Sequence, residues 1–361
     1  MTDNDEMFHE IERIISLRLM QEDVETIYSL MNTERDPIFS MAVMPYYALF
    51  VQSCQEYMGD TYIEDAVANK TKDIRNYIKA FADGYSKSRK RIASVNDEQD
   101  LQFRSHLRFD FMKSWNIHDN LGTYWTDNKH IIGNTQMYAD YLGVNNIFDH
   151  DAGKKQYEVA YQFGSFVNSI SKGLSELTPP VIHRDQTGIV IKHFCDLNTF
   201  KDSGFFKNNT IELNMFYLNL ACNMNFVKHV LSPLLSDLNP WLFRIKYIVT
   251  YYTYRALQRL KNYCDINSDI SIDKVYLSTI LEMGNGLFET KFRNCMMHYG
   301  LENQGVLSLE YIEKPFYGLI ETCFNGMSLN EYLGKLSDLE ESIINYLESQ
   351  FDSNKIELKD L

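Results

Sequence analysis

Proline and glycine are scarce in this chain, 7 and 17 among 361 residues, so few points along it force a helix to stop. Internal repeats and low-complexity tracts are absent. The six cysteines, at 54, 195, 222, 264, 295 and 323, form no CxxC pair and no Cys/His group at zinc-finger spacing, a usage that fits a reducing compartment. The acidic N-terminus, MTDNDEMFHE, lacks the basic start and apolar run of a secretion signal, so a cytoplasmic location is expected. The most apolar long window, residues 211–235, is interrupted by Asn214, Asn219, Asn223, Asn225 and Lys228, and no segment is expected to span a bilayer. Basic residues are also in deficit, 35 against 49 acidic ones, for a formal charge of −14. Such a balance excludes a broad basic surface that grips nucleic acid by releasing counterions, so any such contact must be local.

What remains is a composition, 45% hydrophobic and 23% charged, that suits one large or two medium globular domains. Apolar residues recur at helical spacing over 36–58, 63–92, 155–174 and 339–351. Strand-like alternation is brief, at GIVIKHF (188–194) and NTIELNMF (209–216), and the second also suits the entry to a helix. The expected fold is therefore all-α, a helical bundle. Its clearest break is SELTPPVIHRDQTG at 175–188, where a proline pair meets a polar run. This divides the chain into a helical N-terminal region, 1–180, and a helical C-terminal domain, 181–361. A second connector, CDINSDISID (264–273), offers Ser271 as N-cap for a helix from Ile272, and GNG (284–286) separates or kinks the helix that follows.

That next helix carries FRNCMMHYG, residues 292–300. At about 100° per residue, Phe288, Phe292, Cys295, Met296 and Tyr299 share a core-facing arc. Arg293, Asn294, Met297, His298 and Leu301 lie roughly opposite. Cationic and apolar residues mixed on an off-core face suggest a surface covered by a ligand or a second subunit. Arg293 and His298, about 140° apart, bracket a groove poorly in one copy, whereas a two-fold axis would bring two of each around a shared cleft.

The pattern RNCMMH, followed by YG at the end of a helix, resembles the signature of the HEPN superfamily: an arginine, a polar residue, and a histidine within four to six positions. Residues 313–347 are similar to the closing helices of such domains. The resemblance is specific over about 285–300, extends over about 205–350 and is absent over 1–180. It implies a HEPN-like domain in the C-terminal half and a metal-independent endoribonuclease, without cofactor, acting at a composite homodimer site. There His298 would move protons, Arg293 would stabilise charge on the phosphate, and Asn294 would orient the ring or bind the phosphate. The resemblance further implies a toxin or antiphage effector with an RNA substrate and a neutralising or regulatory protein partner. A non-catalytic HEPN-like module binding a nucleotide or a protein is the alternative. A purely structural reading competes with both: Glu289 stands four residues before Arg293, at salt-bridge spacing, and His298 could cap the helix.

Two further stretches could hold RNA phosphates. SKSRKR (86–91) gathers Lys87, Arg89, Lys90 and Arg91, and the aromatic segment 241–263 carries Arg255 and Arg259 on one face. HRD at 183–185 lacks the other kinase signatures. His118, His130 and His150 match no metal-ligand spacing and read as scattered surface histidines.

Overall fold

Asp36, Pro37 and Gly59 set both ends of the second helix by local chemistry. The Asp36 carboxylate accepts from the Phe39 amide at 2.9 Å, Pro37 occupies the first helical position, and Gly59 adopts φ 66° while closing the last turn onto Gln55. The computed structural model describes residues 3–34, 36–59, 65–105, 107, 118–142, 152–174, 191–200, 204–208 and 210–361. Its helices are α1 (Asp3–Thr33), α2 (Pro37–Met58), α3 (Asp65–Tyr77), α4 (Tyr85–Ser105), α5 (Thr135–Leu142) and α6 (Ala152–Leu174) in the first half. The second half holds α7 (Ile211–Asn225), α8 (Pro240–Ile266), α9 (Lys274–Met283), α10 (Thr290–Met297), α11 (Leu319–Cys323) and α12 (Leu329–Glu348).

The mostly helical fold is as expected, with one addition. Strands β1 (Leu121–Thr126), β2 (Ile131–Asn134), β3 (Ile191–Leu197) and β4 (Lys359–Asp360) form a small antiparallel sheet in the order β2-β1-β3-β4. Only β3 coincides with an expected strand. All four residues of β2 are buried, so it shows none of the alternation that marks a half-buried strand. The stretch 209–216 enters α7 at Ile211. Nearly every residue of α7 is buried, which erases the amphipathic period there too. The expected helix over 63–92 is two helices with a turn between, in which Gly84 takes φ 97°. The N-cap expected at Ser271 is Asp273, whose carboxylate accepts from the amides of Val275 and Tyr276. Gly284 ends α9, so the helices on either side of GNG are separate.

Residues 175–190, including the expected boundary and the HRD tripeptide, lie outside the described residues. The segments on either side do not keep separate cores. Apolar side chains from α1, α2, α7, α8, α10 and α12 belong to one buried cluster, and α1 packs against α6 and α8. A buried polar link fastens the halves. Asp23 of α1, fully buried, ion-pairs with Arg244 of α8 (2.9 Å) and accepts a hydrogen bond of 2.6 Å from the Tyr299 hydroxyl, while the Arg244 guanidinium stacks 4.6 Å above the Tyr299 ring. Burial pushes the Asp23 carboxyl up, and Arg244 and Tyr299 oppose that rise.

Candidate functional site

The motif helix α10 is only eight residues long, and its C-terminus is held from outside. Arg244 Nη1 donates to the carbonyls of Cys295 and Met296 at 3.1 Å each, and Ser53 Oγ of α2 donates to the Met297 carbonyl at 2.6 Å. These carbonyls have no partner within the helix, and a buried cation there also complements the helix dipole. The next residue, His298, is extended (φ −142°, ψ 158°), and Tyr299 turns into the core toward Asp23. His298 therefore stands at the helix's end and not on its side, so the angle of a helical wheel does not describe it.

The core-facing arc is as expected: Phe292, Cys295, Met296 and Tyr299 are buried. The opposite arc requires a correction. Met297 and Leu301 are buried as well, against the chain's own N-terminal helices. Ser53 reaches Met297 from α2, and Ser16 of α1 accepts from the Leu301 amide at 3.2 Å. The apolar residues that suggested a docking face for another subunit are thus covered within one chain. No ion pair joins Arg293 to Glu289 among the described residues; Arg293 bonds instead to the Tyr252 hydroxyl, and its Nε has no partner.

Arg293, Met297 and His298 line an open cleft of about 640 Å³. The same cleft is lined by Glu56 at the end of α2, Arg75 of α3, Lys79 in the turn after it, and Tyr251 and Tyr252 of α8. His298 Nδ1 lies 2.9 Å from Glu56 Oε2, and both side chains are about 45% exposed, within reach of a ligand. With the Glu56 carboxylate accepting, Nδ1 carries the proton and Nε2 is the nitrogen of the neutral ring left to accept. Arg91, Arg255 and Arg259 line it as well. There Arg91 pairs with Asp140 at 2.8 Å, Arg259 with Asp83 at 3.0 Å, and Arg255 donates to Gln258.

Near His298 the charges are not balanced in this way. None of the ion pairs among the described residues involves Arg75, Lys79 or Arg293. The Lys79 ammonium is held below the usual lysine range by burial, then by the positive neighbours Arg75, Lys72 and Arg293, with Asp83 a partial offset. The Tyr252 hydroxyl, raised by burial, feels both Arg293 and Arg75 in the opposite direction.

The cleft thus gathers Arg91, Arg255, Arg259, Arg293 and His298 of the residues singled out in the sequence. It does not include the others. Asn294 donates to Gln304 at 3.2 Å, Lys87 lies 3.6 Å from Asp83, Arg89 bonds to Tyr263 and Asp269, and Lys90 is exposed. Glu56, Arg75 and Lys79 went unnoticed in the sequence because each stands more than 200 positions from the motif. His118 is no surface residue: it is buried and bonds to Asp100 at 2.9 Å. His130 bonds to Glu348, and His150 lies outside the described residues.

Among the described residues no group of three or more His, Cys, Asp or Glu side chains is placed to hold a metal ion, and no helix is long and apolar enough to cross a membrane. Compared with known proteins, the chain matches no family model, no curated protein and no solved structure.

Proposed function

We propose that the cleft binds RNA and cleaves it without a metal ion, the 2′-hydroxyl acting as nucleophile. One observation carries this reading: an imidazole oriented by a carboxylate shares a cleft with three cations that have no carboxylate partner among the described residues, in a chain whose net charge is −14. Like charges crowded into a half-buried site are costly unless an anion joins them. A phosphodiester is such an anion, and the cleft's open form admits a strand.

In this reading His298 Nε2 takes the 2′-hydroxyl proton, the new bond from the 2′-oxygen to phosphorus forms, and the bond from phosphorus to the 5′-oxygen breaks. His298, now protonated, returns that proton to the leaving oxygen, so the products are a 2′,3′-cyclic phosphate and a 5′-hydroxyl. Arg293 presents a fixed cationic fork to the equatorial oxygens, whose charge grows in the transition state. Glu56 holds the reactive tautomer. The resemblance to HEPN domains supports this assignment of Arg293 and His298, and it is the sole support for a homodimer, a neutralising partner and a role as a cytoplasmic toxin or antiphage effector.

The reading is tested with purified protein and mixed RNAs in EDTA. Cleavage leaving 2′,3′-cyclic ends, lost in both His298→Ala and Arg293→Ala while the thermal melt is kept, is the expected result. A protein inert toward varied RNAs that still binds a mononucleotide in this cleft would establish instead the non-catalytic module, which the closely paired arginines of the cleft favour.

A further inference from the structure

HEPN-type sites are expected to be composite, with a second copy supplying the facing arginine. In this chain the position facing the motif is already occupied. α2 and α3 stand there, and they bring their own charge: Arg75 and Lys79 line the same cleft as Arg293 and His298. The three cations are close enough to influence one another. Arg75 and Arg293 both depress the Lys79 ammonium, and both act on the Tyr252 hydroxyl, to which Arg293 bonds. The Nε atoms of Arg75 and Arg293 are buried and unpartnered, and no carboxylate among the described residues pairs with either guanidinium or with Lys79. Elsewhere in the cleft arginines do have acidic partners, Asp140 for Arg91 and Asp83 for Arg259. The contrast separates a site prepared for an external anion from ordinary salt-bridged surface.

We infer that Arg75 and Lys79, from the N-terminal half, complete with Arg293 a phosphate clamp beside His298, so that one chain holds the scissile phosphate without an arginine from a second copy. The inference rests on the proposed function in naming the ligand a scissile phosphate, and it gives the N-terminal region a role: it stands in for the missing protomer. The geometry that carries it is the buried fastening between the halves. Asp23, Arg244 and Tyr299 fix the end of α10 relative to α1, Ser53 fixes it relative to α2, and α3, which carries Arg75, packs along α2.

The test uses the full chain and a fluorescent 2′-O-methyl RNA decamer, which offers phosphates but no attacking hydroxyl. Arg75→Gln and Lys79→Gln are each expected to weaken binding by about tenfold and to lower the slope of log K against log salt by about 0.7. Arg75→Lys and Lys79→Arg, which keep the charge, retain most of the affinity, and this separates a direct contact from a structural one. Binding and salt slope unchanged in both glutamine variants would overturn the inference. For cleavage, Arg75→Gln and Arg293→Gln proteins are mixed. A clamp within one chain leaves the mixture inactive, whereas restored activity shows that the two residues act from different copies and refutes the inference. Should the native protein cleave no RNA at all, the proposed function fails, but the binding measurement still decides whether the clamp exists.

Discussion

The Glu56 carboxylate meets Nδ1 of His298 at 2.9 Å, although 242 residues separate them. This contact joins the end of α2 to the residue after α10 and selects which ring nitrogen is free. Glu56 is therefore a positioning residue. Glu56→Gln, which can present an N–H to Nδ1, is expected to shift the His298 tautomer balance, visible in the ¹⁵N shifts of the ring. It should lower kcat roughly tenfold or more with little change in KM, as a group acting through a general base would. Glu56→Asp recovers part of the loss. Equal kcat and an unmoved tautomer in Glu56→Gln would remove Glu56 from the mechanism.

Arg244 connects stability to the site. It is buried against Asp23 and holds the carbonyls of Cys295 and Met296, so Arg244→Met leaves a buried carboxylate and two buried carbonyls without their partner. Removing one side of a buried pair costs about 3–5 kcal/mol. Tyr299→Phe, which leaves the Asp23–Arg244 pair intact, should cost less, roughly 1.5–3 kcal/mol for one hydrogen bond to a charged group. Urea denaturation measures both through the shift in midpoint at constant slope. An order reversed between the two variants would show that the hydroxyl, and not the guanidinium, fastens the halves.

Much of this arrangement was legible in the sequence where local chemistry acts alone. The apolar spacing over 36–58 marks α2 (Pro37–Met58) because its partly exposed face leaves the helical period visible, and Asp36, Pro37 and Gly59 close its ends through adjacent residues alone. Burial on all sides hides the same kind of information: α7 and β2 lie so deep that neither keeps a polar face to reveal its period. At the site, Arg293 and His298 stood out as cationic residues among apolar ones. Met297 and Leu301 misled, because a helical wheel shows which faces differ but not which neighbour covers them. Here the neighbours were α1 and α2; α2 also delivers Glu56, while α3 and the turn after it deliver Arg75 and Lys79, and the surroundings of all three in sequence are those of ordinary surface helices.

His229 should govern part of the acid stability. It sits in the π-helical turn Phe226–Leu231, its ring 3.7 Å from that of His130 and parallel to it within 2°. His130 in turn bonds to Glu348 at 2.7 Å. Burial, and next the His130 ring, push His229 down to about 4; Lys228 adds to this and Glu348 opposes it. The unfolded chain takes up this proton near the ordinary histidine value of about 6.5, and the folded chain resists it. The resulting stability is therefore complete above about 6.5 and is lost as pH falls toward 4. In His229→Phe, which keeps a flat ring for stacking, the melting temperature should fall less steeply across that window. Parallel pH profiles for the variant and the native protein would assign the acid loss to other groups.

Asn294 supplies a contrasting outcome within the motif itself. The resemblance implied that it orients His298 or binds phosphate, yet its side-chain amide donates to Gln304 at 3.2 Å, while its backbone carbonyl accepts the His298 amide at 2.9 Å. The part of Asn294 that serves His298 is thus the backbone, which any helix-compatible residue provides. Asn294→Ala should keep cleavage within about threefold, far from the 10²–10⁴-fold that loss of an acid–base group brings in His298→Ala. Its stability cost should be that of one half-exposed hydrogen bond, about 1 kcal/mol. A loss in Asn294→Ala as deep as that of His298→Ala, with the fold intact by thermal melt, would mean that the amide turns from Gln304 to the phosphate once RNA is bound.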